Sequence, residues 1–429
     1  MAGARGEPRL RPAQGVHLTD RRSSRPGVER RRIAVHITRD AERQVRAGHP
    51  WVFDASITST SHAGAAGDLA VVFDHDRRFL AIGLYDPASP IRVRIVHHGT
   101  PEAVDGAFWA RRVAAAVERR QPLVEAGGGD GATTGYRVVH GENDGLPGLV
   151  VDRYDDTAVI KVYSAAWLAH LDDVVDALHA HVGPARVVLR RSRAVGGGSD
   201  VAVAVVGELP DGPVGFLEGG LSFEADVVRG QKTGHFLDQR ENRQRVARQA
   251  AGRRVLDVFS CTGGFSVHAA AGGAVAVTSV DQSSAALDTA RRNMAANSGL
   301  AAVAAARHET VTGDAFEVLA HLAGQRRRYD VVVVDPPSFA SRRDQVGAAL
   351  RAYGRLTKLA VAVVEPGGLL VQASCSSRVP ADQFATVVHD AAGRAGRPLV
   401  EEARTGHPLD HPVGFPEGAY LKALYARVG

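Results

Sequence analysis

The sequence contains few cysteines and no long apolar run. Of its 429 residues only Cys261 and Cys375 are cysteine, which excludes a disulfide-stapled scaffold and favours a reducing, cytoplasmic compartment. No stretch approaches the roughly 18 consecutive apolar residues that a membrane span needs. The N terminus lacks the apolar centre of a signal peptide, and no repeat indicates a solenoid. At roughly 150 residues per domain, the length predicts two to four domains.

The chain has almost no excess charge once its N terminus is set aside. The formal net charge is +5, which by itself would suggest a nucleic-acid partner. Residues 1–32 hold nine arginines and three acidic residues, a net of +6, so residues 33–429 carry −1. The first 32 residues also lack apolar periodicity, which predicts a disordered tail that is either dispensable or a loose RNA-contacting arm. Evidence for RNA binding must therefore come from local patches and motifs.

The pattern of strands and helices divides the rest of the chain into three parts. Residues 33–97 show short strands separated by turns, which predicts a β-rich module. Residues 98–228 begin with a helix near 104–124 and continue as a small α+β domain. Within it, Arg190-Arg191-Ser192-Arg193, followed by glycines, predicts a mobile basic loop. Residues 229–429 alternate short apolar strands with helices, which is typical of a parallel sheet covered by helices.

Acidic residues and one glycine-rich turn stand at successive strand ends of the third part. Glycines at a strand-to-helix turn let the backbone approach a ligand closely, and carboxylates at strand ends can bind ribose hydroxyls or an adenine edge. The turn lacks GxGxxG and a Lys-Ser/Thr pair, so S-adenosylmethionine, which has no phosphate, fits better than a dinucleotide or triphosphate. The alternative is a tight turn without a ligand, and no metal site is predicted. The predicted cofactor residues here are Asp257, Ser260, Gly263, Gly264, Phe265, Asp281, Asp314 and Asp335.

Cys375 directly follows the apolar strand Leu369–Gln372, at the same sheet edge as Asp335. A buried cysteine is usually an inert small hydrophobe, but a polar turn beside a cofactor site suits a reactive thiol. A thiolate that adds to C6 of a pyrimidine makes C5 nucleophilic towards a sulfonium methyl group, and an adjacent carboxyl group can stabilise the adduct at N3. Cys375 is therefore the candidate nucleophile, whereas Cys261 is assigned to packing.

Several segments resemble, in order, the RlmI-type large-subunit rRNA methyltransferases. The resemblance spans about residues 33–429, and the set of motifs is specific although each one alone is not. Two upstream segments resemble its PUA and EEHEE domains, namely Gly48-His49-Pro50-Trp51-Val52-Phe53 and Glu142-Asn143-Asp144-Gly145-Leu146-Pro147-Gly148-Leu149. The others are Gln231-Lys232-Thr233-Gly234-His235-Phe236-Leu237-Asp238-Gln239-Arg240, Asp257–Phe265, Asp335–Phe339, Ser374-Cys375-Ser376 and Asp410–Lys422.

This resemblance implies a Rossmann-like methyltransferase sheet preceded by a PUA domain, which binds structured RNA, and a central EEHEE domain. It implies methylation of cytosine C5 in 23S rRNA with S-adenosylmethionine as donor, and it suggests a homodimer. By position, Cys375 is the nucleophile and Asp335 contacts the target base or the cofactor amine. The other roles that it implies are Asp281 at the ribose, Asp314 at adenine, Gly263 beside the cofactor, and Lys232, Asp238 and Arg240 at the site entrance, of which Asp238 and Arg240 are assigned to the cofactor. Independently of the resemblance, the basic loop predicts RNA contacts at Arg190, Arg191 and Arg193, to which Lys232 is added.

Two departures from the family pattern bear on the mechanism. Position 338 is Ser where the family often has Lys and where the Sun-type RNA cytosine methyltransferases have a second Cys, so the base that removes the C5 proton is unassigned. Position 261 is Cys where relatives often have Tyr. Two alternatives stay open: a guanine N7 or N2 methyltransferase, whose relatives carry Asn residues at the Ser374-Cys375-Ser376 position, and a non-enzymatic RNA-binding assembly factor.

Overall fold

Three sheets and one separate hairpin organise the protein. The computed structural model describes residues 31–126, 131–196 and 202–429, so the predicted tail lies outside the described residues except for Arg31 and Arg32. None of the helices in these ranges is both long enough and apolar enough to cross a membrane.

The N-terminal sheet has six strands in the order β2-β6-β5-β4-β1-β3, all paired antiparallel except β1 and β4. It encloses its own small apolar core, which includes Ile33, Val35, Val52 and Val72. The predicted β-rich module is therefore confirmed. Its elements are β1 (Arg32–Ile37), α1 (Arg39–Arg46), β2 (Trp51–Phe53), β3 (Ile57–Thr60), β4 (Leu69–Phe73), β5 (Phe79–Tyr85) and β6 (Ile91–His98).

The central sheet has five strands in the order β11-β10-β9-β8-β7. Two helices cover it, and the fully buried rings of Trp109 and Trp167, 5.0 Å apart, lie in the core between them. Its elements are α2 (Gly106–Ala126), β7 (Gly135–His140), β8 (Leu149–Tyr154), β9 (Thr157–Val162), α3 (Leu171–His181), β10 (Arg186–Arg191) and β11 (Ala202–Val206).

The prediction of a mobile basic loop is wrong for its first two residues, because Arg190 and Arg191 belong to β10. Arg190 pairs with Ala202 of β11 and Lys161 of β9, so ladder hydrogen bonding extends the strand past its apolar run. The Arg190 side chain is buried, and its guanidinium donates to the Gly230 carbonyl oxygen at 2.7 Å. The structure therefore gives Arg190 a buried, structural place, and we do not propose it as an RNA contact. The glycines at 197 and 198 lie outside the described residues.

The C-terminal sheet has seven strands in the order β16-β15-β14-β17-β18-β20-β19, of which the first five run parallel. A hairpin of β12 and β13 precedes it. The Rossmann-like prediction is confirmed. The elements from the hairpin to the end of the chain are β12 (Val214–Glu218), β13 (Leu221–Ala225), α4 (Arg240–Ala247), β14 (Arg254–Val258), α5 (Gly264–Ala271), β15 (Ala276–Asp281), α6 (Ser284–Ala296), α7 (Ala301–Ala305), β16 (Arg307–Thr312), α8 (Ala315–Gly324), β17 (Tyr329–Val334), α9 (Val346–Val363), β18 (Val364–Ser374), α10 (Ala381–Arg394), β19 (Leu399–Thr405) and β20 (Lys422–Val428).

The strand order of this sheet predicts where a ligand binds. Chain order runs from β14 outwards to β16 on one side and from β17 to β18 on the other, so the sheet has a switch point between β14 and β17. In open α/β sheets, ligands bind outside the carboxyl ends of the strands at such a point. The domain boundaries at 97/98 and 228/229 stay predictions.

Candidate active site

A cavity of about 380 Å³ lies at the carboxyl edge of β14, β15, β17 and β18. This volume falls in the range of small-molecule sites. The segment 231–239 covers one side of the cavity, and the loop that follows β17 covers another. Nine of the residues predicted from the sequence line it: Lys232, Asp238, Ser260, Gly264, Phe265, Asp281, Asp314, Asp335 and Cys375.

The turn between β14 and α5 explains why glycine stands at position 263. Gly263 has a φ of +77°, and a Cβ added there would lie 2.8 Å from the Cβ of Ala290 on α6. Glycine is therefore required here because α6 packs closely against the turn. Gly263 does not line the cavity, contrary to its predicted place beside the cofactor. Phe259 and Cys261 also adopt left-handed conformations, with φ of 64° and 48°. Such strain in non-glycine residues is typical of functional turns.

Asp257 holds this turn from behind and does not reach the cavity. Its side chain is fully buried, and Oδ2 accepts hydrogen bonds from the amide and the hydroxyl of Ser266 at 3.0 and 2.7 Å. Its Oδ1 has no partner among the described residues. Burial raises the pKa of Asp257 to about 7. The predicted cofactor contact of Asp257 is therefore corrected to a structural role at the start of α5.

Asp281 and Asp314 present carboxylates to the cavity while their backbone partners fix them in place. Asp281 Oδ2 accepts from the Cys261 amide and Oδ1 from the Ser283 amide, both at 2.9 Å. Asp314 caps α8, because its Oδ1 accepts from the amides of Phe316 and Glu317. Each oxygen of Asp281 keeps a second lone pair, and Asp314 keeps its Oδ2, for a ligand hydroxyl or amine.

Asp335 and Cys375 lie together at the other end of the cavity. Asp335 Oδ1 accepts from the Gln239 side-chain amide at 2.9 Å. Burial, with the Asp238 carboxylate adding to it, raises the pKa of Asp335 to about 7. The Cys375 sulfur lies 3.9 Å from the carbonyl oxygen of Pro336, the residue after Asp335. Burial raises the pKa of this thiol to about 11, and the Asp335 carboxylate contributes to the shift.

The turn that carries Cys375 is anchored from α9. The Tyr353 hydroxyl lies 2.8 Å from Ser374 Oγ and 2.9 Å from Ser376 Oγ, and all three side chains are buried. Ser376 Oγ also lies 3.2 Å from Ser338 Oγ, which ties this turn to the loop after β17. The thiol is therefore held between two fixed serines.

Lys232 and Asp238 form an ion pair in the cavity wall. Lys232 Nζ lies 2.7 Å from Asp238 Oδ2, which also accepts from the Tyr420 hydroxyl at 2.8 Å. Although burial opposes ionisation, Lys232 holds the pKa of Asp238 well below its usual range. Asp238 Oδ1 is buried and has no partner among the described residues. The site therefore keeps one ionised carboxylate with an open acceptor.

Arg240 was predicted beside the cofactor, but the structure places it elsewhere. It begins α4, is 1% exposed, and its two terminal nitrogens donate to Asp410 at 2.9 and 2.8 Å. It does not line the cavity. The backbone amide of Arg137 and the guanidinium of Arg120 also donate to Asp410, so this cluster joins the central and C-terminal parts.

Several residues that line the cavity received no role from the sequence, among them His235, Gln239 and Leu421. Leu421 arrives there because β20 is antiparallel to β18, so its first residues lie where β18 ends. All three residues lie within the motifs that carry the family resemblance. The motifs do not show that Gln239 is special among its neighbours, because its hydrogen bond to Asp335 is visible only in the structure.

The residues at the β14–β16 end of the cavity fit S-adenosylmethionine. Ser260 Oγ is buried there and has no partner among the described residues, so it is available to a polar ligand. Phe259, Phe265 and Phe316 supply apolar walls, and Asp281 and Asp314 supply acceptors. Among the described residues, no cluster of three or more His, Cys, Asp or Glu side chains could hold a metal ion. This donor set suits a nucleoside without phosphates.

The chain matches two protein families. Residues 177–427 match the S-adenosylmethionine-dependent methyltransferase family, and residues 35–98 match the PUA-like domain family. By fold, it is similar to a protein described as a SAM-dependent methyltransferase from Streptococcus mutans, with a TM-score of 0.77, 20% identity, and 92% of this chain and 100% of that one covered. A second solved methyltransferase, complexed with SAH, gives a TM-score of 0.78 at 21% identity, with 93% and 100% covered.

Two curated relatives cover almost the whole chain. A ribosomal RNA large subunit methyltransferase of Deinococcus radiodurans is 46% identical over 410 residues, which are 94% of this chain and 100% of that protein. The ribosomal RNA large subunit methyltransferase I of Shewanella amazonensis is 38% identical over 405 residues, which are 92% and 99%. S-adenosylmethionine is thus the cofactor, and the chain belongs to the RlmI-type family of S-adenosylmethionine-dependent methyltransferases with an N-terminal PUA-like domain.

Proposed function

We propose that this protein methylates C5 of a cytosine in large-subunit ribosomal RNA, with Cys375 as the covalent nucleophile. The observation that carries the proposal is the shared cavity of Cys375 and Asp335, in which the thiol sulfur lies 3.9 Å from the carbonyl oxygen next to Asp335. Methylation of a ring or exocyclic nitrogen needs no thiol. The relatives' names supply the RNA class.

Cys375 makes C5 reactive by adding to the neighbouring ring carbon. As thiolate, Cys375 forms a bond to C6, and the electron pair of the C5–C6 double bond moves to C5 and into the ring towards N3. C5 then forms its bond to the methyl group. S-adenosylmethionine, when bound, supplies the electrophilic methyl group. After C5 has lost its proton to a base, the double bond forms again and Cys375 leaves as thiolate. Cys375 is thus regenerated in each turnover.

Asp335 is suited to hold a proton at N3. Because its pKa is about 7, a large fraction of the carboxyl group is protonated at neutral pH. A protonated carboxyl group donates to the N3 acceptor of cytosine, and it stabilises the negative charge that addition of sulfur sends towards N3. The hydrogen bond from Gln239 fixes the other carboxyl oxygen.

The cofactor would be held at the β14–β16 end of the cavity. Ser260, Gly264 and Phe265 line it from the turn after β14, and Asp281 and Asp314 line it from the following two strands. The proposed ribose role of Asp281 and adenine role of Asp314 rest on these positions. Asp238 lies nearer to Asp335, where its open oxygen can accept from the cofactor amine.

RNA contacts are proposed on the N-terminal module, at basic residues at the end of β10 and at Lys232 in the cavity wall. Arg193 is exposed in the turn after β10, Arg191 is partly exposed at the end of that strand, and Lys232 is 36% exposed at the cavity wall. The PUA-like module, residues 33–97, would bind a structured element of the RNA. Phosphate contacts of this kind weaken as salt rises.

The test is mass spectrometry of ribosomal RNA after incubation with the protein and isotope-labelled S-adenosylmethionine. We expect one labelled 5-methylcytosine, and RNA with 5-fluorocytosine at that position should trap a covalent adduct because fluorine does not leave as a proton does. Cys375→Ala should abolish methylation and retain S-adenosylhomocysteine binding, whereas the matched variant Cys261→Ala should stay active. Methyl transfer to RNA by Cys375→Ala would overturn the covalent mechanism and favour methylation of a nitrogen.

A further inference from the structure

The distribution of lysine singles out one residue behind the catalytic turn. Only four of the 52 lysines and arginines are lysine, so arginine supplies nearly every positive charge. Lys358 is exposed on α9, whereas Lys161, Lys232 and Lys422 are grouped near the cavity. Lys161 donates to the carbonyl oxygen of Lys232, and Lys232 pairs with Asp238. The fourth, Lys422, has no role in the chemistry described above.

Lys422 lies against the turn that carries Cys375. It begins β20 and pairs with Ser374, the residue before Cys375. Its ammonium group donates to the carbonyl oxygen of Ser376, the residue after Cys375, at 2.6 Å, and to that of Val379 at 2.7 Å. The side chain therefore holds segment 376–379, directly after the thiol, while the backbone of Lys422 pairs with the residue before it.

The ammonium group is buried without an acidic partner. Lys422 is 7% exposed, and no carboxylate among the described residues forms an ion pair with it. A buried charge is costly unless an opposite charge compensates it. Burial lowers the pKa of Lys422 to about 8, and a Cys375 thiolate acts in the opposite direction and raises it. The anion that would complete this site is the thiolate itself.

We infer that Lys422 is a positioning residue that stabilises the thiolate of Cys375 from behind the catalytic turn. The inference rests on the proposed role of Cys375 as nucleophile. A lysine suits the place because its compact ammonium group fits between two carbonyl oxygens, where the planar guanidinium of arginine would need more room. Lys422 does not line the cavity, so we place its action in the turn and in its charge.

The other charges around Cys375 show why a second cation is needed. Burial and the carboxylate of Asp335 disfavour the thiolate, and the carboxylate of Asp238 adds to this effect. Lys232 favours the thiolate, but it is already paired with Asp238 at 2.7 Å. Asp335 after β17 and Asp238 and Lys232 in segment 231–239 act on the pKa of Cys375. A Cys375 thiolate in turn raises the pKa of Tyr353 on α9 and of Lys422 on β20.

The test measures thiolate formation directly and requires no methyl transfer. In a Cys261→Ala background, Cys375 is the only thiol, and its rate of alkylation by iodoacetamide is followed by mass spectrometry from about pH 6 to pH 10. Near pH 7, Lys422→Met should slow alkylation about tenfold, because an opposite charge nearby is lost. The two rates should converge above about pH 9, where Lys422 has lost its proton in the parent protein. Lys358→Met, an equal loss of charge at the surface, should follow the parent at every pH.

The outcome separates a charge effect from a structural one. A purely structural role would change the alkylation rate by the same factor at all pH values, and either that result or identical profiles would overturn the inference. Lys422→Gln keeps a donor for the carbonyl oxygens without the charge, so it should behave like Lys422→Met. If neither variant folds, the Cys261→Ala/Asp335→Asn protein with Lys422 intact decides. A plot of the logarithm of its alkylation rate against pH should flatten near pH 8, because Lys422 loses its proton there. A plot that stays straight through pH 8 would contradict the inference.

This result is independent of the proposed reaction. Methylation that survives Cys375→Ala would remove the covalent mechanism, whatever the alkylation profile shows. Conversely, if Cys375→Ala is inactive but the profiles of Lys422→Met and its parent coincide, then Cys375 remains the nucleophile and Lys422 is only a packing residue.

Discussion

Replacing Asp257 by Asn should stabilise the protein, and the gain should grow with pH. The unfolded chain ionises this residue near an aspartate's ordinary pKa of about 3.9, whereas burial raises its pKa in the fold to about 7. The folded state therefore binds the proton more tightly. The contribution of Asp257 to the free energy of unfolding therefore decreases as pH rises from about 4 to 7, and it is constant above pH 7. Three pKa units correspond to a penalty of up to about 4 kcal/mol.

The Asp257→Asn substitution would remove that penalty and keep the hydrogen bonds. The new amide oxygen can accept from both the amide and the hydroxyl of Ser266, as Asp257 Oδ2 does. The assay is urea unfolding of both proteins between about pH 5.5 and pH 8.5. Over this interval the difference in free energy of unfolding should widen by about 2 kcal/mol in favour of the variant. Other titrating groups cancel in the difference.

A matched substitution at the surface controls for the loss of charge. Asp288 is exposed on α6, so Asp288→Asn should leave a difference that is constant with pH. A constant difference for Asp257→Asn as well would mean that Asp257 is ionised in the fold throughout the range. A variant that is less stable than the parent at pH 8.5 would show that the carboxylate charge itself supports the turn.

Four further outcomes follow from the site. Asp281→Ala should weaken S-adenosylhomocysteine binding by about 1–3 kcal/mol in calorimetry, since charged hydrogen bonds are lost, and unchanged affinity would remove the ribose role. Arg240→Ala should lower the free energy of unfolding by about 3–5 kcal/mol, because it leaves Asp410 buried without its bidentate arginine partner; a small effect in urea unfolding would contradict this. Gly263→Ala should cost about 1–3 kcal/mol, given its left-handed φ and the Ala290 contact, and an unchanged unfolding midpoint would refute the crowding. Arg193→Ala should lower the salt dependence of RNA binding by about one phosphate contact, and an unchanged slope would exclude that contact.

The part of the site that the sequence predicts is the part built on parallel strands. Parallel strands end at one sheet edge, so residues that directly follow apolar runs lie near each other whatever the intervening helices do. Asp281, Asp335 and Cys375 follow this rule, and all three line the cavity. The same rule fails for Asp257, because it lies within β14 and its side chain turns towards α5.

The remaining errors come from interactions between distant segments. Arg190 resembles a loop residue by composition, but pairing with β9 and β11 keeps it in the sheet. Arg240 stands next to two cavity residues in sequence, yet α4 begins there and directs its side chain to Asp410, 170 residues away. Lys422 reaches the catalytic turn only because β20 runs antiparallel beside β18. No local pattern contains these partners.

The central domain helps to build the catalytic site without lining it. Asp410 accepts hydrogen bonds from the Arg137 amide on β7 and, through its carbonyl oxygen, from Arg120 on α2. Asp410 lies in the segment that leads to Tyr420, whose hydroxyl donates to Asp238 in the cavity wall. Lys422 follows two residues later.

A chain that begins at residue 212, and so keeps the β12–β13 hairpin, would lose these contacts. It would keep Arg240 opposite Asp410 but lack the Arg120 and Arg137 donors that also hold this residue in place. The segment before β20 would then be less constrained, and with it the hydroxyl of Tyr420 against Asp238. We therefore expect cofactor binding, whose proposed acidic residues Asp281 and Asp314 end β15 and follow β16, to survive this truncation better than thiolate formation at Cys375. Loss of the two in parallel would contradict a specific role of the central domain at the catalytic turn.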